Sequence, residues 1–148
     1  MVRFRTFMLL AVVIVATILG GGCASFNHEW QVAASKPVEG TDLQGRWEGF
    51  WRSDVNGHTG KLRCLITKSS EHNYRARFHA NYSKVLSFGY TVTLRAEAAG
   101  DSFNFNGQAN LGWLAGGVYY YEGHAEKTNF FSKYSNKYDH GTFQMTRP

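Results

Sequence analysis

The chain has 148 residues, room for one domain. With 18% charged and 16% aromatic residues, 16 Gly and only 2 Pro, it is too apolar and too weakly charged for a disordered segment and suits a small β-rich fold. The formal net charge of +5 is a mild excess with no basic cluster, so the electrostatic footprint of a nucleic-acid binder is missing and no nucleic-acid partner is expected.

The chain opens on Arg3 and Arg5, followed by the apolar run "FMLLAVVIVATIL" from Phe7 to Leu19 and then by Gly20, Gly21, Gly22 and Cys23. Basic, apolar and small residues in that order form a secretory signal. The ending is similar to the lipobox of bacterial lipoproteins, in which a branched apolar residue and two small residues precede a cysteine. The small residues and Cys23 match; Leu19 stands one place further out than the usual pattern, with Gly20 in its position. The resemblance implies cleavage after Gly22 and acylation of Cys23. The acyl chains would anchor the protein to a bacterial envelope membrane, the outer membrane being expected, on its periplasmic or surface face. Each buried CH₂ contributes about 0.8 kcal/mol, so two or three chains hold where one does not. Cleavage there leaves 126 residues with a net charge of +3. Two other readings stay open. Gly22-Cys23-Ala24 has the small residues that an ordinary signal peptidase needs for a cut after Ala24, and Phe4 to Ala24 is long enough to span a bilayer uncleaved.

The lipobox reading divides the chain into a signal peptide, 1–22, a lipidated N-terminus and flexible tether, 23–42, and a folded body, 43–148. The tether assignment rests on "NHEWQVAASKPVEGT", which is mixed, aperiodic and broken by Pro37 and Gly40. No helix is expected after Ser25.

From Leu43 onward the apolar period is two. In "NYRARFHANY", Tyr74, Ala76, Phe78, Ala80 and Tyr82 share one face, and Arg75, Arg77, His79 and Asn81 the other. "FGYTVTLRAE" and "SFNFNGQANL" repeat the pattern, and "KLRCLITK" groups Leu62, Cys64 and Ile66. One dry and one wet face mark antiparallel sheet. Turn signals such as the Asn56-Gly57 pair separate the runs. Strands are predicted at 45–53, 60–68, 73–82, 87–97, 102–110, 117–125, 128–135 and 139–147. An all-β, eight-stranded, antiparallel up-and-down barrel follows, because closure removes exposed edges; a two-sheet β-sandwich is the alternative. Gly45-Arg46-Trp47 resembles the G-x-W that opens the first strand of lipocalins and other calycins. That likeness implies a barrel whose Trp closes one end, and the body of about 105 residues is nearer an avidin-sized barrel.

No catalytic or metal site and no cofactor is predicted. The six histidines form no H-x-H or H-x₃-H pair. The stretch from Asp54 to His58 has Asp and Asn at calcium-loop spacing, but Gly57 comes too early and no bidentate acid follows. Ser132, Asp139 and His140 are residue types a hydrolase uses, with no nucleophile elbow to assemble them. Cys64 alternates with core residues and reads as an inert thiol; a disulfide to Cys23 is the competing possibility.

The aromatic load is the distinctive feature. An eight-stranded barrel is just wide enough to be filled by side chains or to hold one small ligand. As a filled core, the inward aromatics are packing. As a cup, Trp47, Trp51, Tyr74, Tyr82, Tyr90, Tyr119 and Tyr121 line it and bind a small apolar or aromatic ligand. Outward Phe50, Tyr120 and Phe131 offer a docking patch for another envelope protein instead. The expectation is therefore a non-catalytic envelope lipoprotein that binds a ligand in its barrel, with an interaction module as the alternative.

Overall fold

The computed structural model describes Gly22 and residues 24–37, 42–83 and 86–148. Residues 1–21 of the signal peptide and Cys23 lie outside the described residues. Eight strands follow one another: β1 (Gly45–Ser53), β2 (Thr59–Lys68), β3 (Asn73–Tyr82), β4 (Leu86–Ala99), β5 (Ser102–Asn110), β6 (Val118–Ala125), β7 (Asn129–Ser135) and β8 (His140–Thr146). Each pairs antiparallel with the next, and β8 closes on β1 from Glu48↔Thr146 to Ser53↔Gly141. The fold is thus the closed, eight-stranded, all-antiparallel barrel expected from the alternation, and the sandwich alternative is set aside.

The alternation places one side chain in two inside. Along β3, Tyr74, Ala76, Phe78 and Ala80 are buried, with Arg75 exposed between the first two. The lower end, where β1 begins, is packed shut. Trp47 is fully buried there, its indole N–H donating to the Leu43 carbonyl at 3.0 Å. Phe130 lies against Trp47 and stacks on Phe105 at 4.7 Å. The Arg147 guanidinium sits 4.0 Å over the Trp47 ring and donates to the carbonyls of Asp42 and Gln44. Cys64 is a free thiol within this core, its pKa pushed well up by burial.

The region before the barrel differs from the expected tether. Residues 24–34 are helical and lie on the outer wall. Phe26 and Trp30 are buried against Leu65, with Ala33 packed beside them, an i, i+4, i+7 stripe. The wall they cover is cationic: Arg63 lies over both rings, Arg46 over Trp30 and Arg77 over Phe26, at 5.2 to 5.7 Å. His79 stacks on Phe26 at 5.2 Å. Arg77 pairs with Glu29 at 2.5 Å and donates to Ser25 and to the Gly22 carbonyl. A short helix with three apolar positions is marginal alone; the arginine-rich wall supplies the tertiary partners that make it form. No helix among the described residues is long and apolar enough to cross a membrane.

Candidate functional site

The upper end, where β1 ends, is open. Phe78 forms a midpoint in the barrel: it is buried, stacks on Tyr90 at 5.2 Å and on Tyr121 at 6.3 Å, and tilts against Phe143 at 5.5 Å. Above it lies a cavity of about 740 Å³. Its aromatic wall comes from six of the eight strands: Trp51 (β1), Tyr82 (β3), Phe88 and Tyr90 (β4), Tyr119 and Tyr121 (β6), Tyr134 (β7) and Phe143 (β8). Leu114, from the one-turn 3₁₀ helix Trp113–Ala115 between β5 and β6, reaches over the opening. The interior is therefore divided, filled below and hollow above.

Local sequence explains how the rings are held. Trp51 pairs with Gly60 across β1 and β2, and its indole N–H donates over that glycine to the Asn81 carbonyl at 2.9 Å. A Cβ on Gly60 would stand 2.6 Å from the indole nitrogen, so the path needs glycine. Tyr82 stacks on Trp51 at 5.8 Å, nearly parallel, and its hydroxyl meets His58 Nδ1 at 2.8 Å. Burial raises the Tyr90 and Tyr121 pKa values, and the two hydroxyls interact. These phenols stay neutral and serve as hydrogen-bond groups on apolar bodies.

The charged group of the cup is Asp139. Its Oδ1 accepts from Ser53 Oγ at 2.6 Å and its Oδ2 from the Tyr134 hydroxyl at 3.1 Å. Asn136 fixes the β7–β8 turn by accepting from the Tyr138 and Asp139 amides, and donates to the Gly116 carbonyl of the 3₁₀ loop at 3.1 Å. Three loops of the upper rim are thus tied together. Tyr119 and Tyr134 both have raised pKa values, first from burial and then from the Asp139 charge.

Of the seven residues expected to bind a ligand, five line this cup: Trp51, Tyr82, Tyr90, Tyr119 and Tyr121. Trp47 and Tyr74 are drawn away from it. Both face inward but lie in the closed lower half, Trp47 under Arg147 and Tyr74 edge-on to Phe103. Alternation gives the face of a strand residue and not its height along the barrel. Asp139 and Tyr134 complete the site unforeseen; Asp139-His140 ahead of Gly141 reads in the sequence as turn chemistry, and the same turn brings Asp139 to the mouth.

The other sequence candidates separate. Ser132 Oγ lies 3.2 and 3.0 Å from the carbonyl oxygens of Glu122 and Lys133, while the Asp139 carboxylate holds Ser53 and Tyr134, so Ser132, Asp139 and His140 are not assembled as a relay. Among the described residues no three His, Cys, Asp or Glu side chains are grouped to hold a metal ion. On the outer wall Phe50 and Tyr120 are exposed and Phe131 is half-buried. Phe50 and Phe131 flank Gln144 in the register, and Tyr120 stands higher on β6.

Fold and site together define a small closed antiparallel barrel with a solvent-open aromatic cup at one end. Compared with protein-family models, with curated proteins and with solved structures, the chain matches none.

Proposed function

We propose that the chain is a cell-envelope lipoprotein, acylated on Cys23, whose barrel binds a small aromatic or largely apolar ligand in the upper cup without catalysis. The observation that carries the ligand reading is the cavity itself: about 740 Å³, within the range of small-molecule sites, with aromatic walls and few polar groups. A barrel built only for stability is expected to fill its interior as the lower half does. The lipoprotein part rests on the signal-like N-terminus and the small residues before Cys23. Ser25, two residues after Cys23, accepts from Arg77 of the barrel wall, so acyl chains on Cys23 would hold the barrel close to the membrane on a very short leash.

Two experiments test the two halves. Mass spectrometry of the mature N-terminus is expected to find an acylated Cys23 as the first residue, and Cys23→Ala is expected to leave the membrane fraction; an unmodified cysteine refutes the anchor. Calorimetric titration of the full chain in maltoside micelles with indole is expected to give saturable one-to-one heat beyond the micelle blank. Tyr82→Leu should weaken it. Titration heat that never exceeds the blank refutes the cup.

The reading as an envelope interaction module, docking through the outer wall, draws on Phe50 and Tyr120. Among the described residues the most exposed large apolar side chains, Trp113 and Leu114, lie at the upper end instead, beside the cup.

A further inference from the structure

The cup combines two chemistries that an uncharged apolar ligand does not use together. Its walls are aromatic, and a single carboxylate, Asp139, stands among them. Aromatic rings carry a negative face and attract cations, most strongly where water is displaced. Among the described residues no Lys, Arg or His lies within ion-pair distance of Asp139: the ion pairs there are Arg77–Glu29 and Arg95–Glu97. Ser53 and Tyr134 hold the carboxylate by neutral hydroxyls, which fix its position and leave its charge in place. That charge is felt by the neighbouring phenols of Tyr119 and Tyr134. A wholly apolar ligand would strip water from the carboxylate and give nothing back.

We infer that the cup takes an organic cation, a quaternary or bulky ammonium group that seats against the aromatic wall beside Asp139. The inference rests on the cup being a ligand site, as proposed above, and names its ligand class. A trimethylammonium group fits both demands: it has no N–H to satisfy, its methyl groups pack on rings, and its charge meets Asp139. Other features of the molecule do not compete for this chemistry. The hollow between the helical segment and β1–β2 has no Phe, Tyr or Trp in its lining, and its Glu29 and Asp42 are offset by Arg46, Lys36 and Arg147. In the broad depression over the outer wall, Asp54 and Glu122 are balanced by Arg95 and Lys133.

The test compares choline with 3,3-dimethyl-1-butanol, its uncharged carbon isostere, on the ¹⁵N-labelled full chain in maltoside micelles. The readout is the Trp51 indole N–H resonance. Choline is expected to bind about tenfold or more tightly than the isostere. Asp139→Asn should reduce choline binding by about tenfold and weaken the isostere far less. Glycerophosphocholine, run alongside, separates the two sources of this group: tighter binding than choline assigns a lipid headgroup, weaker binding a free cation. If the isostere binds as well as choline at Trp51, the cation inference is overturned and the cup reading stands. If neither choline nor glycerophosphocholine moves that resonance, the cation inference is overturned whatever Asp139→Asn does, and the indole titration decides the cup reading separately. The wild-type comparison needs no variant to fold.

Discussion

Ser53 Oγ donates to Asp139 Oδ1 at 2.6 Å, joining the end of β1 to the β7–β8 turn across 86 residues. The same oxygen accepts from the amides of Val55 and Asn56 at 3.2 and 3.3 Å, so one buried hydroxyl organises its own turn and the opposite one. The bond joins the two rim turns that flank the β1–β8 seam and sets the carboxylate that faces the cup.

Ser53→Ala removes one donor from Asp139 and the acceptor for two turn amides. It should destabilise the fold by about 1–3 kcal/mol, read as a lower denaturant midpoint with an unchanged slope. Ser53→Thr keeps the hydroxyl and should recover most of the loss. An Ala variant as stable as the parent would remove this bond from the account of the rim.

Arg147→Ala uncovers Trp47 and frees two backbone carbonyls at the lower end. A loss of about 2–3 kcal/mol is expected. Lys lacks the planar fork that stacks and donates to two carbonyls, so Arg147→Lys should recover less than half. The ligand affinity of the cup should be unchanged in both, because Phe78 separates the two halves.

Glu29 has its pKa lowered from its ordinary 4.5, first by the hydrogen bond from Arg77 and against some opposing burial. A depressed carboxylate stabilises the docked state above its ordinary pKa and loses that contribution as pH falls through the lowered value. The helical segment should therefore loosen on acidification below about pH 4.5, with the Trp30 indole resonance moving toward its solvent-exposed position. Glu29→Gln should show the looser state already at pH 7. An exposed pair contributes little to global stability, so the barrel's melting should barely change. A Trp30 signal constant down to pH 3 would contradict the pinning.

Cys64 is fully buried and its thiol is pushed well up in pKa by desolvation. A thiol-specific disulfide reagent at pH 8 should find it silent in the native chain and reactive once the barrel unfolds. With Cys23 acylated, the count should be zero thiols folded and one unfolded. Rapid native labelling at Cys64 would mean that the barrel opens far more readily than its packing implies.

The barrel was legible in the sequence because period-two runs with polar turns leave few alternatives: β1, β3 and β5 fall on the expected residues and the other strands within two. The site was legible only in part. Trp51 and Trp47 lie on the same face of one strand, yet one lines the cup and the other plugs the opposite end, since height depends on the register of all eight strands. Asp139 is local turn chemistry by sequence, and its meeting with Ser53 is long-range. The helical segment was missed because Phe26, Trp30 and Ala33 are a short stripe beside Pro37, and the arginines that stack on them come from strands β1 to β3.

The measurement that bears most directly on the central claim is the location of a small aromatic ligand by NMR on the ¹⁵N- and ¹³C-labelled full chain. With indole added, the account predicts shifts at the Trp51 indole N–H and the rings of Tyr82 and Tyr121, with the Trp47 indole unmoved under Phe78 and Phe130. Shifts confined to Phe50, Tyr120 and their outer wall, or no saturable shift in the cup, would contradict it.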